Sequence, residues 1–207
     1  MVSSADALAR LRDGNRRFVE NASVHRDTVD RSHGPELAAG QSPFAIVLAC
    51  SDSRVPVELV FDQGFGDLFV IRVAGNIVAP SQIGSVEFAA QQFGTKLVVV
   101  LGHSGCGAVV ATLKELTLKE SHRSPNLRAI VDRVKPAVEP VLARHGNEES
   151  DATVNDAVRA NIHASVDQLA HGSSVLEQLV ERGELAIVGA EYTIETGQVE
   201  FFDESDA

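Results

Sequence analysis

Short apolar runs alternate with helical patterns through the middle of the chain. Each run lacks the polar alternation of a half-exposed strand, which is typical of strands that are covered on both faces. Helical spacing of apolar residues recurs between successive runs. Strand–helix–strand units of this kind predict an α/β fold in which helices flank a mostly parallel central sheet. The four predicted parallel strands lie at residues 44–50, 67–73, 96–103 and 184–192.

The two ends of the chain add elements to this sheet. Apolar residues at helical spacing predict an amphipathic helix from residue 5 to about residue 20. Mostly loop follows, so that residues 1–40 form an N-terminal helical arm. At the other end, residues 199–203 come after Thr196 and Gly197 and could form an edge strand that is reached through a hairpin turn.

Residues from about 126 to 183 have the pattern of helices. Pro136, Pro140 and the GNEESD stretch at residues 146–151 are expected to interrupt them. The prolines should do so because proline lacks the amide hydrogen that a helix interior needs. Asp151 could start a long helix. No linker divides the chain, so we expect one domain over residues 1–207.

Composition excludes several classes of protein. The 207 residues are 44% hydrophobic, and 29 acidic against 18 basic side chains give a net charge of −11. A chain this acidic is a poor candidate for binding nucleic acid or an anionic membrane surface. It has only two cysteines, and no apolar stretch is long enough for a signal peptide or a membrane span. We therefore expect a cytoplasmic protein with reduced thiols.

Both cysteines lie at the predicted carboxyl edge of the sheet. Cys50 ends the first predicted strand, and His103 and Cys106 come at the end of the third. Ligands bind at this edge in open parallel sheets. Two thiolates and an imidazole suit Zn²⁺, and three protein ligands leave a fourth tetrahedral position for water. The sequence therefore predicts a catalytic zinc site with one ion per chain.

Asp52 and Arg54 come directly after the first of these ligands. In extended chain Asp52 points to the same side as Cys50, so its carboxylate could reach the metal or the water on it. Arg54 could hold that carboxylate in a bidentate pair. Asp52 could thus be a fourth ligand in a resting state, or the acceptor that orients zinc-bound water. Gly107, beside Cys106 at the start of a predicted helix, could offer its backbone N–H to an anionic product.

The residues by themselves leave other functions open. A metal-free redox or nucleophilic protein could use Cys106 together with His103, and a non-catalytic subunit could hold zinc for assembly alone. The other six histidines show no spacing typical of ligands, and we expect them to be solvated or structural. These are His25, His33, His122, His145, His163 and His171.

The motifs around the predicted site resemble those of the β-class carbonic anhydrases. The matching segments fall within residues 41–110 and read ACSDSRVP, GDLFVIRVAGN, GSVEFA and LGHSGCGAV. The Cys-x-Asp-x-Arg motif followed by a His-x-x-Cys motif is highly specific to that family. By its spacing before Cys50, Gln41 matches the plant-like branch, and Val47 stands where another branch carries Trp.

This resemblance implies the reversible hydration of carbon dioxide to bicarbonate and a proton, the reaction of a carbonate dehydratase. Cys50, His103 and Cys106 would bind zinc. Asp52 and Arg54 would form the dyad that orients zinc-bound hydroxide. The substrate pocket would be formed by Gln41, Phe69, Val73, Phe88 and Gly107.

The resemblance also has consequences for assembly. It implies a pocket at a dimer interface, and hence a homodimer at least, with a tetramer expected. The N-terminal helix would reach across the partner subunit. Zinc-dependent hydrolysis of carbon disulfide or carbonyl sulfide on the same scaffold is an alternative that these motifs leave open.

Overall fold

Five strands form one sheet in the computed structural model, which describes residues 2–24, 34–117, 124–148 and 150–202. The strands are β1 (Ala45–Ala49), β2 (Leu68–Arg72), β3 (Leu97–His103), β4 (Ala186–Tyr192) and β5 (Val199–Phe201). Their order across the sheet is β2-β1-β3-β4-β5. The first four pair in parallel, and β5 pairs antiparallel with β4. The predicted α/β class and mostly parallel sheet are confirmed.

Helices connect the strands in the described part of the chain. They are α1 (Ser4–Val19), α2 (Gly34–Ala39), α3 (Val57–Val60), α4 (Pro80–Phe93), α5 (Gly107–Thr117), α6 (Pro125–Arg144), α7 (Asp151–His171) and α8 (Ser174–Glu181). A short 3-10 turn, Ala74–Asn76, follows β2. None of these helices is both long enough and apolar enough to cross a membrane.

Packing on both faces of the sheet explains why β1, and β3 as far as His103, are continuous apolar runs. Every residue of β1 and of β3 is buried. Successive side chains of β1 alternate between two core clusters, since neighbouring residues of a strand point to opposite faces. Ala45 and Val47 belong to the cluster that includes α1, whereas Ile46, Leu48 and the following Cys50 belong to the cluster that α5, α6 and α7 cover.

The N-terminal helix α1 packs on its own chain. Ala7 and Leu11 are buried in the core cluster that also contains Ala45 and Val47. Asn15 Nδ2 donates hydrogen bonds to the carbonyl oxygens of Val60 and Gly197, at 3.1 and 2.9 Å. The reach of this helix across a partner subunit, which the resemblance implies, stays a prediction.

Two predictions in the helical regions are wrong. Part of the predicted loop, residues 34–39, forms helix α2, which has Pro35 in its first turn, where proline is tolerated. Helix α6 runs through Pro136 and Pro140 instead of ending there. Both prolines lie on its exposed face, where the carbonyl groups that lose their partners can bind water. The opposite face of α6 contributes five buried side chains to the core, which offsets the cost of the two prolines.

The predicted hairpin before the edge strand is confirmed. Gly197 has φ of 77°, a left-handed conformation that glycine adopts without strain. Its N–H donates to the carbonyl oxygen of Thr193 at 2.8 Å, and the Thr193 N–H donates to that of Gln198 at 2.8 Å. Strand β5 ends at Phe201, and residue 203, where the predicted strand ended, lies outside the described residues.

Candidate metal centre

Three potential metal ligands converge at the carboxyl edge of the sheet. β1 and β3 are adjacent and parallel, with Ala49 level with Leu101, so Cys50 and His103 leave neighbouring strands at the same edge. A tight turn through Gly105, at φ of 63°, then brings Cys106 back in front of α5. We call Cys50, His103 and Cys106 the ligand triad.

The ligand triad has the spacing of a tetrahedral metal site. Its three ligand atoms all lie within 4.8 Å of one another, and all three residues are buried. The sulfurs of Cys50 and Cys106 are 4.0 Å apart. This matches the separation of about 3.8 Å that two sulfurs have when they bind one tetrahedral zinc ion. Both thiols are free of disulfide bonds.

The imidazole of His103 presents one nitrogen to the other two ligands. Its Nδ1 lies 3.1 Å from the carbonyl oxygen of Ser104, to which it can donate. Its Nε2 is buried and has no hydrogen-bond partner among the described residues. Buried polar atoms are normally paired, and a histidine that binds a metal typically donates its other nitrogen in this way. The donor set and the orphan nitrogen therefore fit a zinc ion.

The two thiols of the triad differ in proton affinity. The hydrogen bond with Cys106 and, to a smaller extent, the Gly75 N–H lower the pKa of the Cys50 thiol against the effect of burial. That same hydrogen bond, together with burial, raises the pKa of Cys106. One proton shared between the two sulfurs leaves the pair with a single negative charge, and a cation that replaced this proton would be held by both sulfurs.

Asp52 and Arg54 form a bidentate ion pair beside the triad. Arg54 Nε donates to Asp52 Oδ1 at 2.9 Å and Arg54 Nη2 donates to Oδ2 at 2.8 Å. These bonds hold the pKa of the Asp52 carboxyl well below its usual range, so it stays ionised. Oδ2 lies 3.8 Å from Nε2 of His103, which places the carboxylate next to the orphan nitrogen.

Arg72 anchors the loop that carries Cys50 and Asp52. It is level with Ala49 at the end of β2. Its Nε donates to the carbonyl oxygen of Cys50 at 3.1 Å, and its Nη2 donates to that of Asp52 at 2.6 Å. No sequence pattern predicted this role, although the position of Arg72 at the end of the second predicted strand places it at the same edge.

Two of the five predicted pocket residues border the triad. Val73 flanks Cys50, because its N–H donates to Ala49 at 3.1 Å and its carbonyl accepts from Ser51 at 3.2 Å. Gly107 is the first residue of α5, where helical N–H groups have no partner within the helix. A Cβ at Gly107 would meet no atom within 4 Å, so the space beside it is open.

The other three predicted pocket residues lie away from the triad in the single chain. Gln41 precedes β1 and Cys50 follows it, so the length of β1, about 17 Å for five residues, separates them. Phe69 is level with Ile46 near the start of β1. Phe88 packs on Phe69 with ring centroids 6.2 Å apart and is 52% exposed. One copy of the chain does not bring these side chains to the triad.

The histidines outside the triad make other contacts where they are described. His145 Nε2 lies 2.8 Å from a carboxylate oxygen of Asp156. The ring of His163 stacks on that of Phe202, with the two centroids 4.8 Å apart. His171 is exposed near the end of α7. Within the described ranges, the triad is the one group of such side chains found with metal-ligand spacing. His25, His33 and His122 lie outside the described residues.

Comparison with known sequences gives one consistent family. The sequence model of the family described as carbonic anhydrase matches residues 45–199. The chain is 38% identical over 196 residues to carbonic anhydrase 2 of Mycobacterium tuberculosis, covering 93% of this chain and 89% of that protein. It is 38% identical over 195 residues to the carbonic anhydrase of Mycolicibacterium smegmatis, covering 94% and 91%. The residues matched by the family model include the triad and the Asp52–Arg54 pair.

Solved structures share the fold. The β-carbonic anhydrase CcaA superposes with a TM-score of 0.75 at 30% identity, covering 92% of this chain and 95% of that one. A structure described as one of two tetrameric β-carbonic anhydrases from Sordaria macrospora has a TM-score of 0.70 at 23% identity, covering 88% and 92%. The likeness therefore extends over nearly the whole chain.

Proposed function

Since the chain belongs to the β-class carbonic anhydrase family, we propose that Cys50, His103 and Cys106 hold one zinc ion per chain at its active site. The reaction is the reversible hydration of carbon dioxide to bicarbonate and a proton, so the chain is a carbonate dehydratase. The zinc assignment rests on the buried Nε2 of His103, which has no hydrogen-bond partner among the described residues and lies beside two sulfurs that are 4.0 Å apart. A cysteine redox centre gives no reason for that buried nitrogen to lack a partner.

Asp52 and Arg54 supply the orientation that the reaction needs. When bound, zinc acts as a Lewis acid that lowers the pKa of water enough to give a nucleophile near neutral pH. Asp52 is ionised, so it accepts a hydrogen bond from the attacking water and aims a lone pair of that oxygen at the substrate. Because Arg54 engages both carboxylate oxygens, it holds Asp52 in this acceptor role and away from the role of fourth metal ligand.

Carbon dioxide is apolar, whereas its product is an anion, and the pocket has groups for both. The oxygen of water forms a bond to carbon while one carbon–oxygen π bond opens. One proton of the water leaves to buffer and the other stays in bicarbonate. Val73 offers an apolar wall to the substrate, and the Gly107 N–H donates to an oxygen of the developing anion.

A second copy of the chain completes the pocket in this proposal. The rings of Phe69, Phe88 and Phe93 pack with centroids 5.6 to 6.2 Å apart and leave Phe88 half exposed, which forms an apolar surface for a partner. In a two-fold dimer, Gln41, Phe69 and Phe88 of one copy can reach the triad of the other. A homodimer or a larger even assembly fits this requirement, and the Sordaria macrospora enzymes are described as tetrameric.

Two further observations support the proposed branch and compartment. Val47 is fully buried in β1, and it supports the plant-like branch because it stands where another branch carries Trp. A chain of 207 residues with only two cysteines lacks the disulfide density of small secreted domains, which supports a cytoplasmic location.

Zinc content and carbon dioxide hydration, measured on the same purified protein, test the proposal. We expect about one zinc per chain and rapid hydration in the wild type, with loss of both in His103→Ala. The matched control is His145→Ala, which removes an imidazole far from the triad and should change neither. Hydration that survives complete removal of metal would contradict the proposal, and so would sulfide release from carbonyl sulfide without hydration of carbon dioxide.

A further inference from the structure

A strained turn donates a hydrogen bond to one sulfur of the triad. The 3-10 turn after β2 places Gly75 at φ of 72° and Asn76 at φ of 43°. The Gly75 N–H donates to Cys50 Sγ at 3.4 Å. Two successive left-handed residues, one of them not glycine, are costly and persist only where the surroundings hold them. The direction of the Gly75 N–H therefore depends on whatever holds this turn.

Helix α7 holds the turn through two buried side chains. Asn161 Nδ2 donates to the carbonyl oxygen of Gly75 at 2.8 Å, and Ser165 Oγ donates to that of Asn76 at 3.1 Å. Asn161 and Ser165 are only 2% and 3% exposed. They are four residues apart on α7 and so lie on the same face of it. Each tethers one of the two left-handed residues.

Close packing on another side leaves the turn little room to relax. A Cβ at Gly75 would lie 3.0 Å from Ala108 Cβ and 3.5 Å from Val134 Cγ2, so α5 and α6 press against the turn. The hydrogen bonds from α7 fix its carbonyl side. The same glycine therefore receives a hydrogen bond from Asn161 through its carbonyl oxygen and gives one to Cys50 through its N–H.

We propose that Asn161 and Ser165 are positioning residues for the metal centre, which fix the Gly75–Asn76 turn so that the Gly75 N–H stays on Cys50 Sγ. The inference rests on the proposed function, since it concerns a ligand of the proposed zinc ion. Neither side chain belongs to the ligand triad or to the proposed substrate pocket. Both act through the backbone of the turn.

Loss of either tether should weaken metal binding rather than only the fold. Without Asn161, the buried Gly75 carbonyl loses its partner and the turn can rotate away from its left-handed conformation. The Gly75 N–H then leaves Cys50 Sγ. Removal of groups that orient metal ligands typically costs 10- to 100-fold in metal affinity, and we expect about tenfold for Asn161→Ala. Ser165→Ala should act in the same direction by less, because its bond is longer and reaches Asn76.

Two control variants remove comparable hydrogen bonds elsewhere. Asn15→Ala matches Asn161→Ala, because the Asn15 amide also donates to buried backbone carbonyls. Thr95→Val matches Ser165→Ala, because the buried hydroxyl of Thr95 donates to the carbonyl oxygen of Pro43 at 2.8 Å. Both controls lie outside α7 and the Gly75–Asn76 turn.

The experiment measures the zinc dissociation constant of each holoenzyme by competition with a chromophoric chelator, and the thiolate-to-cobalt charge-transfer band after metal exchange. We expect weaker zinc binding and an altered band in Asn161→Ala and Ser165→Ala, with both unchanged in Asn15→Ala and Thr95→Val. A zinc affinity and band in the α7 variants that match the wild type, or that change no more than in the controls, would overturn the inference. If Asn161→Ala does not fold, the comparison of Ser165→Ala with Thr95→Val decides.

These outcomes separate the inference from the function on which it rests. A wild-type chain that binds no zinc at the triad overturns the proposed function and this inference with it. A wild type that binds zinc, with α7 variants that bind it equally well, overturns the inference alone.

Discussion

Arg54 engages both carboxylate oxygens of Asp52, through Nε to Oδ1 at 2.9 Å and Nη2 to Oδ2 at 2.8 Å, while Oδ2 stays 3.8 Å from Nε2 of His103. The pair therefore fixes an ionised acceptor beside the proposed metal position. Because both oxygens are already engaged, the carboxylate is oriented before substrate arrives.

Replacing this carboxylate should separate catalysis from metal binding. In Asp52→Asn we expect kcat/KM for carbon dioxide hydration to fall by about 100-fold or more, because the attacking water loses its acceptor. Zinc content should stay that of the wild type, since Asp52 is not in the triad. Asp67→Asn is the control, because Asp67 also pairs with an arginine, Arg10, at 2.8 Å. A fully active Asp52→Asn variant would remove Asp52 from the mechanism.

The ionisation of Asp52 should depend on Arg54. Hydrogen bonds from Arg54 hold the pKa of Asp52 below its usual range. A carboxyl with a lowered pKa is ionised above that pKa and is protonated only as pH falls through it. In Arg54→Ala the pKa rises toward about 4, the ordinary value for Asp, so the protonated form appears at higher pH.

Titration of the Asp52 carboxyl carbon followed by NMR checks this shift directly, because the hydration rate near neutral pH depends on the ionisation of the metal-bound water. In Arg54→Ala the Asp52 carboxyl should take up its proton at higher pH than in the wild type. Arg10→Ala, which breaks the ion pair with Asp67, should leave the titration of Asp52 unchanged. Superimposable Asp52 titrations for Arg54→Ala and the wild type would show that Arg54 does not set the ionisation of Asp52.

The exposed phenylalanine of α4 should control assembly and activity together. A glutamate at Phe88 would bury a charge in the proposed interface, which is strongly unfavourable for association. We expect Phe88→Glu to shift the protein toward monomer in sedimentation velocity and to lower hydration at low protein concentration. Leu127→Glu changes a leucine of α6 that is also 52% exposed and should do neither. A Phe88→Glu dimer with wild-type activity would contradict the shared pocket.

Close packing of α1 predicts a large effect on stability at one glycine. A Cβ at Gly14 would lie 1.8 Å from the carbonyl oxygen of Phe61 and 2.9 Å from Gln63 Nε2, so α1 would have to move. We expect Gly14→Ala to lower the free energy of unfolding by about 3 kcal/mol, at the upper end for overpacking. Denaturant unfolding measures this loss. The exposed neighbour variant Asp13→Ala should stay within about 0.5 kcal/mol of the wild type, and equal stability of the two variants would contradict the packing.

Much of the sheet could be predicted because strands buried on both faces carry continuous apolar runs. The four parallel strands of the structure start and end within two residues of those runs. The prolines of α6 show the limit of this reasoning. Pro136 and Pro140 would break an isolated helix, but tertiary burial of the opposite face keeps α6 continuous. The helix propensity of the local sequence does not include the free energy of that burial, so it does not predict a continuous α6.

Convergence of the triad followed from topology, since the carboxyl ends of adjacent parallel strands meet. The residues that support the triad from outside the sheet could not be predicted in this way. Asn161 lies 86 residues from Gly75 in the sequence, on a helix whose pattern looks ordinary. Likewise, only the family resemblance groups Phe69 and Phe88 with the pocket. Their distance from the triad in one chain depends on the register of β1 with β2 and on the packing of Phe88 against Phe69, which no local pattern contains.

An X-ray absorption spectrum at the zinc edge of the purified, active protein tests the central claim most directly. Two sulfur ligands and at least one imidazole nitrogen per zinc are predicted, with the sulfur contribution reduced in Cys50→Ser. A folded, active protein whose spectrum contains no sulfur ligand, or whose spectrum is unchanged in Cys50→Ser, would contradict the assignment of the metal to Cys50, His103 and Cys106.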